Sequence, residues 1–222
     1  MLTLFHGSEK IIEHPVAGGG KVYNDYGPGF YMTESADLAR EWSVVRERDG
    51  FINQYRLDTA GLRLLFLNRG DYHILNWLAI LLDNRTFSPA GDLAQEAKAY
   101  VLGHFLQDYK SYDVICGYRA DDSYFSFAGA FLNNSISLQQ LGQAMRLGKL
   151  GEQYTLKSEK AFKQLHYVGC EAVPAEIWFP KREERDRKAR EAFRRSRGVV
   201  TEGIYMVDIL RERWENEDVR LR

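Results

Sequence analysis

The segment Tyr72-His73-Ile74-Leu75-Asn76-Trp77-Leu78-Ala79-Ile80-Leu81-Leu82 constrains this chain most, because it is too apolar to form a surface helix. A helix of that composition has to be surrounded by other elements, so the chain must build a layered core around it. With 222 residues there is enough chain for one sizeable core, or for a core domain with an appendage.

The flanking sequence supplies short strands and helices. Leu2 to Phe5 is rich in apolar residues and runs into His6-Gly7-Ser8, which reads as a first strand ending at a polar turn. Pro15 and the run Gly18-Gly19-Gly20 predict a flexible loop. Gly27-Pro28-Gly29 breaks the chain just before Phe30-Tyr31-Met32, a short strand. Leu38, Ala39 and Trp42 then fall at helical spacing behind Ser35, a plausible N-cap. Phe51 to Leu57 alternates as a strand, and Leu62 to Leu67 is a short apolar run of the same kind. Further on, the spacing predicts a helix over 92–108, a strand over 112–118 stopped by Gly117, and helices over 125–132 and 137–147. A strand over 152–157 follows, then a helix capped by Ser158 and a strand over 166–173.

After Pro180 the composition changes. Lys181 through Arg197 reads as a charged helix with few core residues, most simply a solvated face. The apolar stretch 203–210 is expected to dock back, which makes the charged helix an arm rather than a tail. The expected organisation is a domain over 1–180 and an arm over 181–222.

The formal net charge of −1 gives the whole protein no electrostatic footprint for nucleic acid or membrane. No stretch reaches the ~18 apolar residues of a membrane span, and the N-terminus lacks a basic region followed by an apolar run. A soluble, cytoplasmic protein without a membrane partner is therefore expected. Cys116 and Cys170 lack zinc-site spacing and read as buried thiols. His73, His104 and His166 have no partner at metal-ligand spacing and read as structural, so no metal is expected.

Singly, His6 and Tyr31 carry little, since a strand-end His is usually just hydrogen-bonded and a Tyr in a strand is usually core. Together, Phe5-His6-Gly7-Ser8 and Tyr26-Gly27-Pro28-Gly29-Phe30-Tyr31-Met32-Thr33 resemble the first two motifs of the ADP-ribosyltransferase superfamily, on the side that includes poly(ADP-ribose) polymerases and diphtheria toxin. The resemblance implies an α+β fold with a split β core, flanking helices and a C-terminal helical arm. It also implies NAD as substrate: His6 contacts the ribose, the Gly7 backbone pairs with the nicotinamide amide, and Tyr31 stacks on the ring. Trp42, eleven residues after Tyr31, would be the second aromatic of a sandwich. Ser8 and Phe30 belong to the same binding motifs.

The third motif of that superfamily is a Glu opening a late strand. Here the strand is Glu152-Gln153-Tyr154-Thr155, and adjacent strand residues point to opposite faces, so Glu152 and Gln153 compete for one slot. Aligning Tyr154 with the family aromatic favours Gln153. The chain is also similar to a bacterial branch of uncharacterised domains, often encoded in toxin–antitoxin pairs, through Asp25-Tyr26-Gly27-Pro28-Gly29-Phe30-Tyr31 and Ser158-Glu159-Lys160-Ala161. The resemblance thus implies mono-ADP-ribosyl transfer to a macromolecular acceptor, protein or nucleic acid, with an antitoxin protein as a partner. NAD hydrolysis and NAD or ADP-ribose binding without turnover remain alternatives. The basic residues between Arg185 and Arg197 leave nucleic-acid recruitment open, and Asp121 and Asp122 are weighed as an added carboxylate near the site against simple helix capping.

Overall fold

A computed structural model describes residues 1–70, 72–86, 91–120, 122–145, 151–197 and 203–221. In chain order the elements are β1 (Leu2–Ser8), β2 (Phe30–Met32), α1 (Ala36–Ser43), β3 (Gly50–Leu57), β4 (Leu64–Phe66), α2 (Ile74–Asn84), α3 (Asp92–Phe105), β5 (Val114–Tyr118), α4 (Asp122–Leu132), α5 (Leu138–Ala144), β6 (Glu152–Leu156), α6 (Glu159–Lys163), β7 (Leu165–Val173), α7 (Ala175–Arg197) and α8 (Met206–Glu212). A 3₁₀ turn, Val219–Leu221, follows.

The strands form two sheets. One has the order β1-β3-β7 and is antiparallel throughout. The other has the order β2-β6-β5-β4, with only the β4/β5 pair parallel. Leu4, Tyr55 and Leu57 from the first sheet and Met32, Cys116, Tyr154 and Leu156 from the second share one buried cluster, so the sheets face each other across it. The chain is therefore an α+β protein with helices packed outside a two-sheet core.

The helix over 74–84 lies where its composition requires. Leu75 through Leu82 are buried, and Trp77 sits in the largest core cluster with residues of α3, α4 and α5. That cluster also takes Ala189 and Phe193 from α7, Met206 and Ile209 from α8, and Trp214 and Leu221, so the C-terminal segment packs on the same core. No helix among the described residues is long and apolar enough to cross a membrane.

Several elements depart from the sequence reading. β1 continues through His6-Gly7-Ser8, which pair with Asn53, Ile52 and Phe51, so these residues lie within a strand rather than on a turn after it. β5 passes through Gly117 instead of stopping there. A Cβ at Gly117 would lie 2.3 Å from the Tyr26 hydroxyl, so the glycine permits a close approach. The long helix begins at Ala175, and Pro180 lies inside it. Losing one backbone bond at Pro180 is offset by Trp178 and Phe179, which pack on the cluster of Ala39, Val44, Ile52 and Val173. Residue 180 therefore falls within a continuous helix. Cys116 is buried as expected, but Cys170 is exposed, because β7 is the edge strand of its sheet.

Candidate functional site

The two sheets touch through their backbones at one bridge, where Phe5 and Thr33 exchange N–H···O bonds of 2.8 and 2.9 Å. Antiparallel pairing alternates, so Gly7, two residues beyond Phe5, also directs its N–H and C=O away from β3 and toward β2. There the sheets part. The Tyr31 carbonyl, which a continued ladder would offer to Gly7, is bonded instead by His6 Nδ1 at 2.7 Å. This divergence opens onto a cavity of about 840 Å³.

His6, Gly7, Ser8, Phe30, Tyr31, Trp42 and Gln153 all line that cavity. Glu152 does not. Its carboxylate lies on the other face of β6, accepting from Asn68 Nδ2 at 2.8 Å and from Cys116 Sγ at 3.2 Å. The strand's alternation turns Gln153 toward the cavity at the same point, so of the two candidates for the third-motif slot Gln153 is the one that lines it.

A carbonyl oxygen can only accept, so the His6–Tyr31 bond assigns the imidazole proton to Nδ1 and leaves Nε2 as an acceptor. Burial lowers the His6 pKa, with the Tyr31 bond opposing, so the ring is neutral at pH 7. A ligand hydroxyl meeting Nε2 would therefore donate to it. The ring also lies against Phe30, with centroids 4.3 Å apart.

Gly7 has a structural reason beyond ligand approach. A Cβ there would stand 1.9 Å from the Ala39 carbonyl oxygen, so the glycine lets α1 pack directly on β1. Ser8 is similarly occupied: its hydroxyl donates to the Lys10 carbonyl at 2.5 Å and accepts from Asn53 Nδ2 at 3.1 Å. Asn53 Oδ1 accepts from Ile12 N at 2.9 Å, which fixes the path of the loop leaving β1.

Tyr31 is held at both ends. Its hydroxyl donates to the Gly27 carbonyl at 2.6 Å and accepts from Tyr26 N at 3.0 Å, and Tyr26 backs its ring at 6.5 Å, nearly parallel. Lys157 Nζ donates to the Tyr26 and Pro28 carbonyls, closing the same turn. Trp42 comes to the cavity from α1, but the Arg119 guanidinium lies over its ring at 4.2 Å. Tyr31 and Trp42 thus both line the cavity, and the Trp42 ring carries the Arg119 guanidinium.

Asp25 is the buried carboxylate among the described residues of the cavity wall. It is 4% exposed and accepts from Arg85 Nε at 2.9 Å, Ala120 N at 2.8 Å and Gln153 Nε2 at 2.8 Å. Burial pushes its pKa up, and Arg85 chiefly opposes the shift. Asp121 lies outside the described residues, and Asp122 opens α4. Lys21, Arg85, Arg119 and Arg182 line the cavity against the carboxylates Glu9 and Asp25. Among the described residues cations therefore outnumber anions there, although the chain as a whole is near neutral.

Arg182 reaches the cavity from α7, donating to the Val44 carbonyl at 3.1 Å. One turn later Arg185 Nε bonds Glu41 Oε2 at 2.6 Å, tying the arm to α1. The charged helix is thus part of the site, not solely a solvated face. Asp25, Arg85, Arg119 and Arg182 were not singled out from the sequence. Only Asp25 had a local signal, its place in the motif that ends at Tyr31.

Fold and site define an α+β protein with a ligand-sized cavity at a split between two sheets. Residues 2–167 match a family described as "Protein of unknown function (DUF3990)", and the chain belongs to that family. No curated protein and no solved structure matches it.

Proposed function

We propose that this chain is a mono-ADP-ribosyltransferase that uses NAD. The observation that carries the reading is the convergence of His6, the outward-facing Gly7 backbone edge, Tyr31 and Trp42 on one cavity at the sheet divergence. The neighbouring N–H and C=O of Gly7 suit a carboxamide, which carries one acceptor and donors in the same plane. Aromatic rings suit a flat pyridinium through stacking and cation–π attraction. The excess of cations suits a diphosphate.

In this reading the bond between the ribose C1′ and the nicotinamide nitrogen breaks heterolytically, and nicotinamide leaves neutral with both electrons. The ribose becomes oxocarbenium-like and is attacked by a lone pair of the acceptor, whose proton passes to solvent. His6 Nε2 accepts from a ribose hydroxyl and fixes the sugar as the bond opens, which is catalysis by orientation. The acceptor is a macromolecule, protein or nucleic acid, and the cytoplasm is the compartment in which NAD would be met. An antitoxin protein would block the cavity or the acceptor's approach to it.

NAD labelled in its adenylate phosphate, incubated with the protein and cell extract, tests the reading. Label retained on a macromolecule, together with released nicotinamide, supports transfer. Nicotinamide release with only free ADP-ribose assigns hydrolysis instead, and binding with no release assigns a module without turnover.

A further inference from the structure

Gln153 lines the cavity, and its amide is fixed from behind. Its Nε2 donates to Asp25 Oδ2 at 2.8 Å and to the Tyr118 carbonyl at 3.2 Å. Both partners are acceptors, so the amide cannot be turned over without setting oxygen against oxygen twice. Among the described residues nothing donates to Oε1, the atom keeps some accessible surface, and the residue lines the cavity. Oε1 is thus the end of the side chain left open.

Asp25 is fixed just as tightly from behind. Oδ1 takes the Arg85 guanidinium, and Oδ2 takes Ala120 N and Gln153. Every partner is a donor, which leaves no position for a proton on the carboxylate. Arg85 itself is anchored by donating to the Ala120 carbonyl at 2.7 Å. Asp25, the stretch after β5 and Arg85 therefore form one hydrogen-bonded frame around the amide.

We propose that Asp25 is a positioning residue that locks the Gln153 amide with Oε1 toward the cavity, as the acceptor for a ribose hydroxyl beside the breaking glycosidic bond. A negative dipole end in that place supports a developing oxocarbenium, whereas an inverted amide would set N–H donors against it. The frame also selects an amide over a carboxylate. A glutamate at 153 would meet Asp25 Oδ2 and the Tyr118 carbonyl with oxygens alone, and it would fit only when protonated, its O–H donating to Asp25 and its C=O facing the cavity. The role rests on the NAD reading of the same cavity.

The test is nicotinamide release from NAD as a function of pH by the full chain and by Gln153→Glu and Asp25→Asn. Gln153→Glu is expected to fall at least tenfold below wild type at pH 7.5 and to regain activity relative to wild type toward pH 5. Asp25→Asn is expected to lose at least tenfold in kcat with KM for NAD within threefold. Arg85 and His6 also face the cavity, but they are shared by all three proteins, so each profile is read as a ratio to wild type. A Gln153→Glu variant that matches or exceeds wild type at pH 7.5, or an Asp25→Asn variant with unchanged kcat, overturns the proposal.

Should either variant fail to fold, the wild-type Gln153 side-chain amide decides by NMR. Both Nε2 protons are expected to exchange slowly and to keep their shifts when NAD is added, and fast exchange overturns the lock. A wild-type protein that neither binds NAD nor releases nicotinamide sinks the NAD reading itself. Turnover by wild type with unaffected variants sinks only the role of Asp25.

Discussion

The imidazole Nδ1 of His6 lies 2.7 Å from the main-chain oxygen of Tyr31, so a side chain of one sheet bonds the backbone of the other where the two sheets part. The bond ties the cavity's chemistry to the stability of the split, because the same ring that presents Nε2 also spans the gap.

That coupling predicts an acid-side loss of stability. The folded-state pKa of His6 lies below the ordinary value of 6.5, so between the two the unfolded chain binds more protons than the folded one. The contribution of the neutral ring is complete above pH 6.5 and declines as pH falls below it. Urea midpoints at pH 7.5 and 5.0 are expected to differ more for wild type than for His6→Gln. Equal differences in the two proteins would remove His6 from the account.

Gly7 is constrained by α1 before any ligand arrives. Gly7→Ala sets a Cβ 1.9 Å from the Ala39 carbonyl oxygen and 2.8 Å from Ser43 N, backbone atoms of α1 that can yield only by moving the helix off β1. The expected destabilisation is roughly 1–3 kcal/mol or somewhat more, by analogy with overpacked cores. A urea midpoint within error of wild type would contradict the close packing.

In the proposed NAD reading, the guanidinium over Trp42 takes a ring face that a pyridinium would also use. Arg119 and a bound cation compete for one ring face, an interaction worth about 0.5–2 kcal/mol. Arg119→Ala is therefore expected to tighten binding of 1-methylnicotinamide by about 2- to 30-fold. Calorimetric titration reads this directly, and unchanged or weaker binding argues that nicotinamide does not use that face.

Some of this was legible in the chain. The alternation of β6 separated Glu152 from Gln153, and the helical spacing of Leu38, Ala39 and Trp42 put an aromatic on α1, because both are local periodicities. The cap residues Ser35 and Ser158 were readable because capping is also local, and each accepts from a backbone N–H of its helix. What escaped depends on pairing across long stretches of chain. Asp25 meets Gln153 128 residues away, and Arg185 meets Glu41 144 residues away, and no local pattern announces either. Gly117 misled because a glycine in a strand can mark an end or a close approach, and only the position of Tyr26 distinguishes them. Likewise the helix was read only from Lys181, because Trp178 and Phe179, which hold its first turn on α1 and β3, cannot be known to pack there from sequence.

The central claim is that the cavity binds NAD and opens its glycosidic bond, and nicotinamide release with cell extract tests it most directly. Wild type is expected to release nicotinamide, His6→Ala and Tyr31→Ala to lose at least about 100-fold in rate, of the order seen when a positioned catalytic group is removed, and Glu152→Ala to remain active. No release by wild type, or release that His6→Ala and Tyr31→Ala leave unchanged, would contradict it.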